Sequence, residues 1–151
     1  MSAEAAGPSV VIGTIGSDAH VTGQFVIARA LEDAGFRVVR LGACVPQEEF
    51  IEAAVETGAQ AILVSSLYGM AYFDCEALRE KCTEAGLGDI LLYIGGQLGT
   101  NREKWEDVEA RFKGIGFDRV YSPDSRPAGI IVDLRADIAK RAAAAAASAK
   151  T

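Results

Sequence analysis

The chain of 151 residues contains a single histidine, His20, which stands two residues after Asp18 in the polar stretch Gly16-Ser17-Asp18-Ala19-His20-Val21-Thr22-Gly23. A neutral imidazole is a good transition-metal ligand. A carboxylate that accepts the hydrogen on its other nitrogen fixes the tautomer and strengthens donation to the metal. Asp-x-His can supply both parts, but it reads equally as a loop histidine beside a helix-capping aspartate, and the pair alone leaves both readings open. Two further stretches share its small, polar, glycine-rich character: Ser65-Ser66-Leu67-Tyr68-Gly69 and Gly95-Gly96-Gln97-Leu98-Gly99. Glycine lets backbone approach a bulky ligand because it presents no side chain and tolerates unusual dihedrals. Together the three stretches could receive a large, flat ligand.

Such loops need a frame. Short apolar runs at Val10 to Ile15, Arg37 to Leu41, Ala61 to Ser65, Ile90 to Ile94 and Arg119 to Tyr121 alternate with segments of helical period. That alternation predicts βαβ units: a doubly wound α/β domain with a five-stranded parallel sheet and helices on both faces. The helical faces are Ile27, Ala30, Leu31 and Ala34; Ile51, Ala54 and Val55; Leu78, Cys82 and Ala85; Trp105, Val108 and Phe112. Gly35, Gly58, Gly86 and Gly116 mark helix ends. Pro46 opens the second helix, with Glu48 and Glu49 by the positive end of its dipole. A fifth helix should begin near Pro127 and carry Ile131, Leu134 and Ile138. Residues 1–8 and the alanine-rich 142–151 read as tails around one domain at 9–141, the last helix fraying at its end. In open sheets of this kind ligands gather beyond the carboxyl ends of the strands, near the point where strand order reverses. The three loops follow the first, third and fourth strands.

Several chemistries are excluded by what is missing. One histidine and scattered cysteines do not make a structural zinc site, and the first loop has neither G-x-x-x-x-G-K-[ST] nor G-x-G-x-x-G. A phospho-receiver domain would need an acidic residue ending the third strand and a lysine after the fifth, where this chain has Ser65 and no lysine. No G-x-S-x-G elbow surrounds Ser65 or Ser66. The net charge of −6 argues against nucleic acid or anionic membranes as partners. No apolar run reaches the roughly 20 residues that span a bilayer, and no leader is evident, so a cytoplasmic protein is expected. Cys44, Cys75 and Cys82 fit reduced thiols, with Cys75 and Cys82 as small core residues on one helical face.

Asp18-x-His20-x-x-Gly23, then Ser65-x-Leu67, then Gly95-Gly96, resembles the three-part signature of cobalamin-binding domains in mutases and methionine synthase, in the same order and on the same loops. The likeness extends through Gly13 to His20, Ser65 to Gly69, Leu91 to Gly96 and Asp118 to Tyr121, which look like the small subunit of glutamate mutase. It implies a flavodoxin-like, Rossmann-type sheet and adenosylcobalamin as cofactor. It also implies that the cofactor's own benzimidazole is detached, with His20 as the lower cobalt ligand and Asp18 hydrogen-bonded behind it.

By the same resemblance Ser65 meets the buried benzimidazole, and Leu67 with Gly95 and Gly96 leaves room for the tail. Ser66, Gln97, Leu98 and Gly99 are expected along that channel, and Ser17, Ala19, Val21 and Gly23 beside the corrin. Tyr68 and Tyr72 are candidates for a partner surface. The chain shows no constellation that would hold an amino diacid. The resemblance therefore assigns the glutamate to 3-methylaspartate rearrangement to a heterotetramer with a larger barrel subunit, and no catalytic residue to this chain. The competing expectations are a corrinoid carrier for methyl transfer, which usually has an added helical domain not seen before Val10, and a cobalamin-binding protein without turnover.

Overall fold

A computed structural model describes residues 7–16, 22–66, 71–100 and 102–149. Five strands, β1 (Ser9–Thr14), β2 (Arg37–Arg40), β3 (Ala61–Ser66), β4 (Leu91–Gly96) and β5 (Arg119–Tyr121), form one sheet in the order β2-β1-β3-β4-β5. All four pairings are parallel. The expected runs therefore become the strands, with ends displaced by a residue or two, and strand order reverses between β1 and β3. Among the described residues six helices connect or follow them: α1 (Thr22–Asp33), α2 (Gln47–Thr57), α3 (Ala71–Cys75), α4 (Leu78–Glu84), α5 (Trp105–Gly114) and α6 (Pro127–Ala149).

The period-2 alternation of the strands divides the interior into two cores. Val10, Ile12, Ala61, Leu63, Leu91 and Tyr93 pack against Ala28 and Leu31 of α1 and Ile130 and Leu134 of α6. Val11, Ile62, Val64, Leu92 and Ile94 pack against Phe50 and Ala54 of α2, Cys75, Leu78 and Cys82 of α3 and α4, and Val108 and Phe112 of α5. Cys75 and Cys82 are thus core residues, and burial pushes the Cys75 thiol up to about 12 and raises that of Cys82.

The expected third helix is two. A turn at Glu76 and Ala77 separates α3 from α4, and Ala77 adopts φ −104°, ψ 8°. No glycine or proline marks the break; α3 buries Ala71 and Cys75 but leaves Phe73 63% exposed, and α4 buries Leu78 and Cys82. Ala85 and Val55 are corrections as well: Ala85 closes α4 on the exposed side, and Val55 is 52% exposed beside the buried Ala54. The four expected helix-end glycines all have positive φ. Gly58 at φ 64° donates its N–H to the Ala54 carbonyl and ends α2.

The amino ends of β4 and β5 are stapled by polar groups. Arg79 of α4 donates to the carbonyls of Gly116 (3.1 Å) and Ile90 (2.8 Å) and to Asp118 Oδ2 (2.8 Å). The same Asp118 oxygen accepts the Leu92 N–H at 2.9 Å, and its other oxygen accepts from Arg141 of α6 at 3.2 Å. Beyond Arg141 the helix continues to Ala149, with residues 142–147 exposed.

The packing of α6 gives a direct test. Leu134 is fully buried while Val132, two residues earlier, is 66% exposed. Leu134→Ala should cost about 2–5 kcal/mol in urea unfolding, and Val132→Ala should stay within about 0.5 kcal/mol of wild type. Equal losses would contradict this orientation of the helix.

Candidate functional site

Strand register sets the site. Thr14 pairs with Ser65, Ser65 with Gly95, and Gly95 with Tyr121, so these four residues form one row across the carboxyl edge of the sheet. One pleat below, Ile12, Leu63 and Tyr93 form the parallel row. Alternation places both rows on the face covered by α1 and α6. Because Gly95 has no side chain, the upper row contains a notch between Ser65 and Tyr121. A Cβ at residue 95 would lie 3.3 Å from Tyr121 Cβ.

Above this notch the helices stand apart and leave a cavity of about 290 Å³. Ile12, Leu63, Tyr93 and Ile94 lie on its sheet side, Gly23, Val26 and Ile27 on its α1 side, and Ser122, Pro123, Ser125, Pro127 and Ile130 on its α6 side, with Ser65, Gly95 and Gly96 at the strand ends. Its size and mostly apolar lining, relieved by a few serine hydroxyls, suit a planar aromatic group. A Cβ added to Gly23 would meet nothing within 4 Å.

Two features fix the cavity's edges. Gly96 has φ 118°, and a Cβ there would come within 1.9 Å of the Ser66 carbonyl oxygen, so only glycine allows the end of β4 to lie this close to β3. Gln24, in the first turn of α1, is 2% exposed and donates from Nε2 to Thr14 Oγ1 (2.8 Å) and to the Gly42 carbonyl (2.9 Å). A buried amide so bonded ties the start of α1 to the ends of β1 and β2.

The α6 wall is held by charge. Arg119 of β5 donates from Nε and Nη2 to the two carboxylate oxygens of Asp137, at 2.7 and 3.1 Å. Asp137 also accepts the hydroxyl hydrogen of Tyr93, and Asp133, one turn earlier, accepts that of Tyr121 at 2.7 Å. Arg119 Nη1 is 3.7 Å from Asp133 Oδ2. The Arg119 hydrogen bonds hold the Asp137 carboxyl below the usual carboxylate range despite partial burial. Burial raises both tyrosine hydroxyls, and the bonded carboxylates raise them further, so both stay protonated donors.

Of the residues singled out from sequence, Gly23, Ser65, Gly95 and Gly96 come together at this cavity. Ser17, Asp18, Ala19, His20, Val21 and Leu67 lie outside the described residues. Ser66 is fully buried, and pleat alternation turns it to the opposite face from Ser65. Leu98 belongs to the second core, Gln97 is exposed with Nε2 bonded to the Gly99 carbonyl, and Gly99 backs onto Val108 and Glu103. Tyr72 packs edge-on against Phe112 at 5.9 Å and is half-buried, while Tyr68 lies outside the described residues. Sequence reasoning missed Tyr93, Tyr121, Gln24 and the Ser122 to Pro127 segment. The signal for the tyrosines was their period-2 relation to Gly95 and Arg119; the segment's was its place after the fifth strand.

Among the described residues no helix is long and apolar enough to cross a membrane. Residues 8–121 match the B12 binding domain family. The chain is 54% identical over 128 residues to the glutamate mutase sigma subunit of Fusobacterium nucleatum, covering 85% of this chain and 94% of that one. It is 52% identical over 130 residues to the same subunit of Clostridium cochlearium, covering 86% and 95%. Among solved structures, a cobalamin-binding protein from Desulfitobacterium hafniense superposes with a TM-score of 0.69 at 24% identity, over 85% of this chain and 58% of that one. The receiver domain of a NarL-type response regulator from Mycobacterium tuberculosis superposes with a TM-score of 0.63 at 16% identity, over 87% and 96%. These likenesses show the fold. Fold and strand-end cavity thus define a B12-binding domain of flavodoxin-like type. Within that class, the chain belongs to the glutamate mutase sigma subunits.

Gly96→Ala should lower stability by at least about 3 kcal/mol, because strain and the Ser66 contact add. Gly58→Ala, with φ 64° but open space around it, should lose only about 1 kcal/mol. Urea denaturation of both reads the difference. For Asp137, a folded-state pKa below the unfolded one contributes stability that is present above the unfolded value and lost as pH falls through the folded one. The stability gap between wild type and Asp137→Asn should therefore be full at neutral pH and shrink below about pH 4. A gap unchanged down to pH 2 in thermal melts would contradict it.

Proposed function

We propose that the chain is the cofactor-carrying subunit of an adenosylcobalamin-dependent glutamate mutase, working in the cytoplasm with a larger barrel subunit in a heterotetramer. The observation that carries this reading is the row Thr14, Ser65, Gly95 and Tyr121, whose glycine notch opens an apolar cavity where strand order reverses. The residues present fit a cobalamin tail: the cavity is lined by aromatic and aliphatic groups, and a Cβ at residue 95 or 96 would crowd its rim. Ser65 would meet the benzimidazole edge, and Val26 and Ile27 of α1 and Ile130 of α6 would exclude water from it. His20 would be the lower cobalt ligand, with Asp18 accepting its second N–H and fixing the tautomer. When bound, adenosylcobalamin supplies the homolytic radical chemistry needed to rearrange glutamate to 3-methylaspartate. This chain's part is to bind, orient and shield the lower face of the cofactor, and substrate is held by the larger subunit.

Two measurements test the reading. Purified chain should bind cobalamin yet form no 3-methylaspartate from glutamate and adenosylcobalamin until the larger subunit is added; turnover by this chain alone would overturn the division of labour. In the cobalt(II) form of nitrogen-15-labelled protein, electron paramagnetic resonance should show superhyperfine splitting from a protein nitrogen, lost in His20→Ala. Asp18→Asn should keep the splitting while lowering affinity or activity about 10- to 100-fold. A splitting that does not change on labelling would remove His20 as the ligand.

A further inference from the structure

The cluster on α6 does more than close the fold. Tyr93 and Tyr121 border the cavity, their rings 5.7 Å apart and inclined at 51°. Neither phenolic hydrogen is available to a ligand, since Tyr93 donates to Asp137 and Tyr121 to Asp133. Both carboxylates face the single Arg119 guanidinium, which grips Asp137 with two hydrogen bonds. Asp133 and Asp137 are four residues apart, one helical turn, so α6 is tied to β4 and β5 at two successive levels beside the cavity.

We infer that Asp133 and Asp137, locked to Arg119, Tyr93 and Tyr121, are positioning residues that set the width of the cavity for the nucleotide base of a corrinoid. The inference rests on the proposed reading of the cavity as the tail site. Through the lock, the distance between the α6 wall and the sheet is fixed by hydrogen bonds whose lengths are inflexible, rather than by apolar contacts that slide. Through the tyrosines, ring carbon is turned to the ligand and the polar ends are withdrawn into the helix. Among the described residues the remaining hydroxyls on the rim are those of Ser65, Ser122 and Ser125, with Ser122 Oγ and Ser125 Oγ 3.4 Å apart. A planar base therefore gains its affinity from fit between two walls. Fit of that kind depends on the walls keeping their separation.

The test compares cobalamin with cobinamide, the same corrin without the nucleotide tail, by equilibrium binding to the purified chain. Wild type should bind cobalamin more tightly than cobinamide. In Asp137→Asn, cobalamin affinity should fall about tenfold, the scale of a lost charge-assisted hydrogen bond, with cobinamide affinity unchanged. If Asp137→Asn fails to fold by circular dichroism, Tyr121→Phe removes one hydrogen bond only and carries the comparison, with a smaller loss confined to cobalamin. A folded variant that keeps full cobalamin affinity, or that loses affinity for both ligands alike, overturns the positioning role. Wild type that fails to distinguish the two ligands overturns instead the reading of the cavity as a tail site.

Discussion

The approach of β4 to β3 at their carboxyl ends governs everything built above it. At Gly96 the backbone takes a φ of 118° with the Ser66 carbonyl where a Cβ would otherwise sit, and at Gly95 the row of side chains across the sheet is interrupted. With a side chain at either position, the strand ends would part or the notch would fill. Ser65 is presented to the cavity and Ser66 withdrawn from it by the same register. Two adjacent serines thus have opposite surroundings, because a strand alternates sides with each residue. The cavity is a consequence of main-chain geometry before any side chain contributes to it.

The two helices that wall the cavity are held by different means. α1 is anchored at its first turn by one buried amide, Gln24, which meets Thr14 and Gly42 at the ends of β1 and β2. α6 is anchored along two turns by Asp133 and Asp137, whose partner Arg119 lies on the edge strand β5. Further from the cavity, apolar contacts such as Leu31 and Leu134 are joined by Arg135, which donates to the Ala34 carbonyl, and by Arg141, which donates to Asp118. Polar anchoring beside the cavity keeps the walls at their spacing, while the apolar contacts supply bulk stability.

Much of this was legible in the residues. Five apolar runs separated by helical periods identified the parallel sheet, and glycines at 35, 58, 86 and 116 identified helix ends because left-handed backbone excludes most other residues. Ser65, Gly95 and Gly96 were legible as a site because three strand-end loops share one edge in this topology. The split between α3 and α4 was not legible, since Glu76 and Ala77 are ordinary helix formers that separate two buried residues, Cys75 and Leu78. Leu98 and Gly99 were expected beside the cavity by adjacency to Gly95 and Gly96, yet the positive φ at Gly96 turns the chain towards α5. The α6 lock joins residues 93, 119, 121, 133 and 137, and no local pattern announces a contact that spans three elements.

The two ends of the sheet are built with opposite mechanics. At the amino end, Arg79 gathers the carbonyls of Gly116 and Ile90 together with Asp118, and Asp118 in turn holds Leu92 and Arg141. At the carboxyl end the layers stand apart around a cavity. A domain closed at one edge and held apart at the other resembles a book propped open, with its spine at Arg79 and Asp118 and Gln24, Asp133 and Asp137 as the props. A bulky group would enter edgewise between walls already set apart, with the hydrogen bonds between the strands intact.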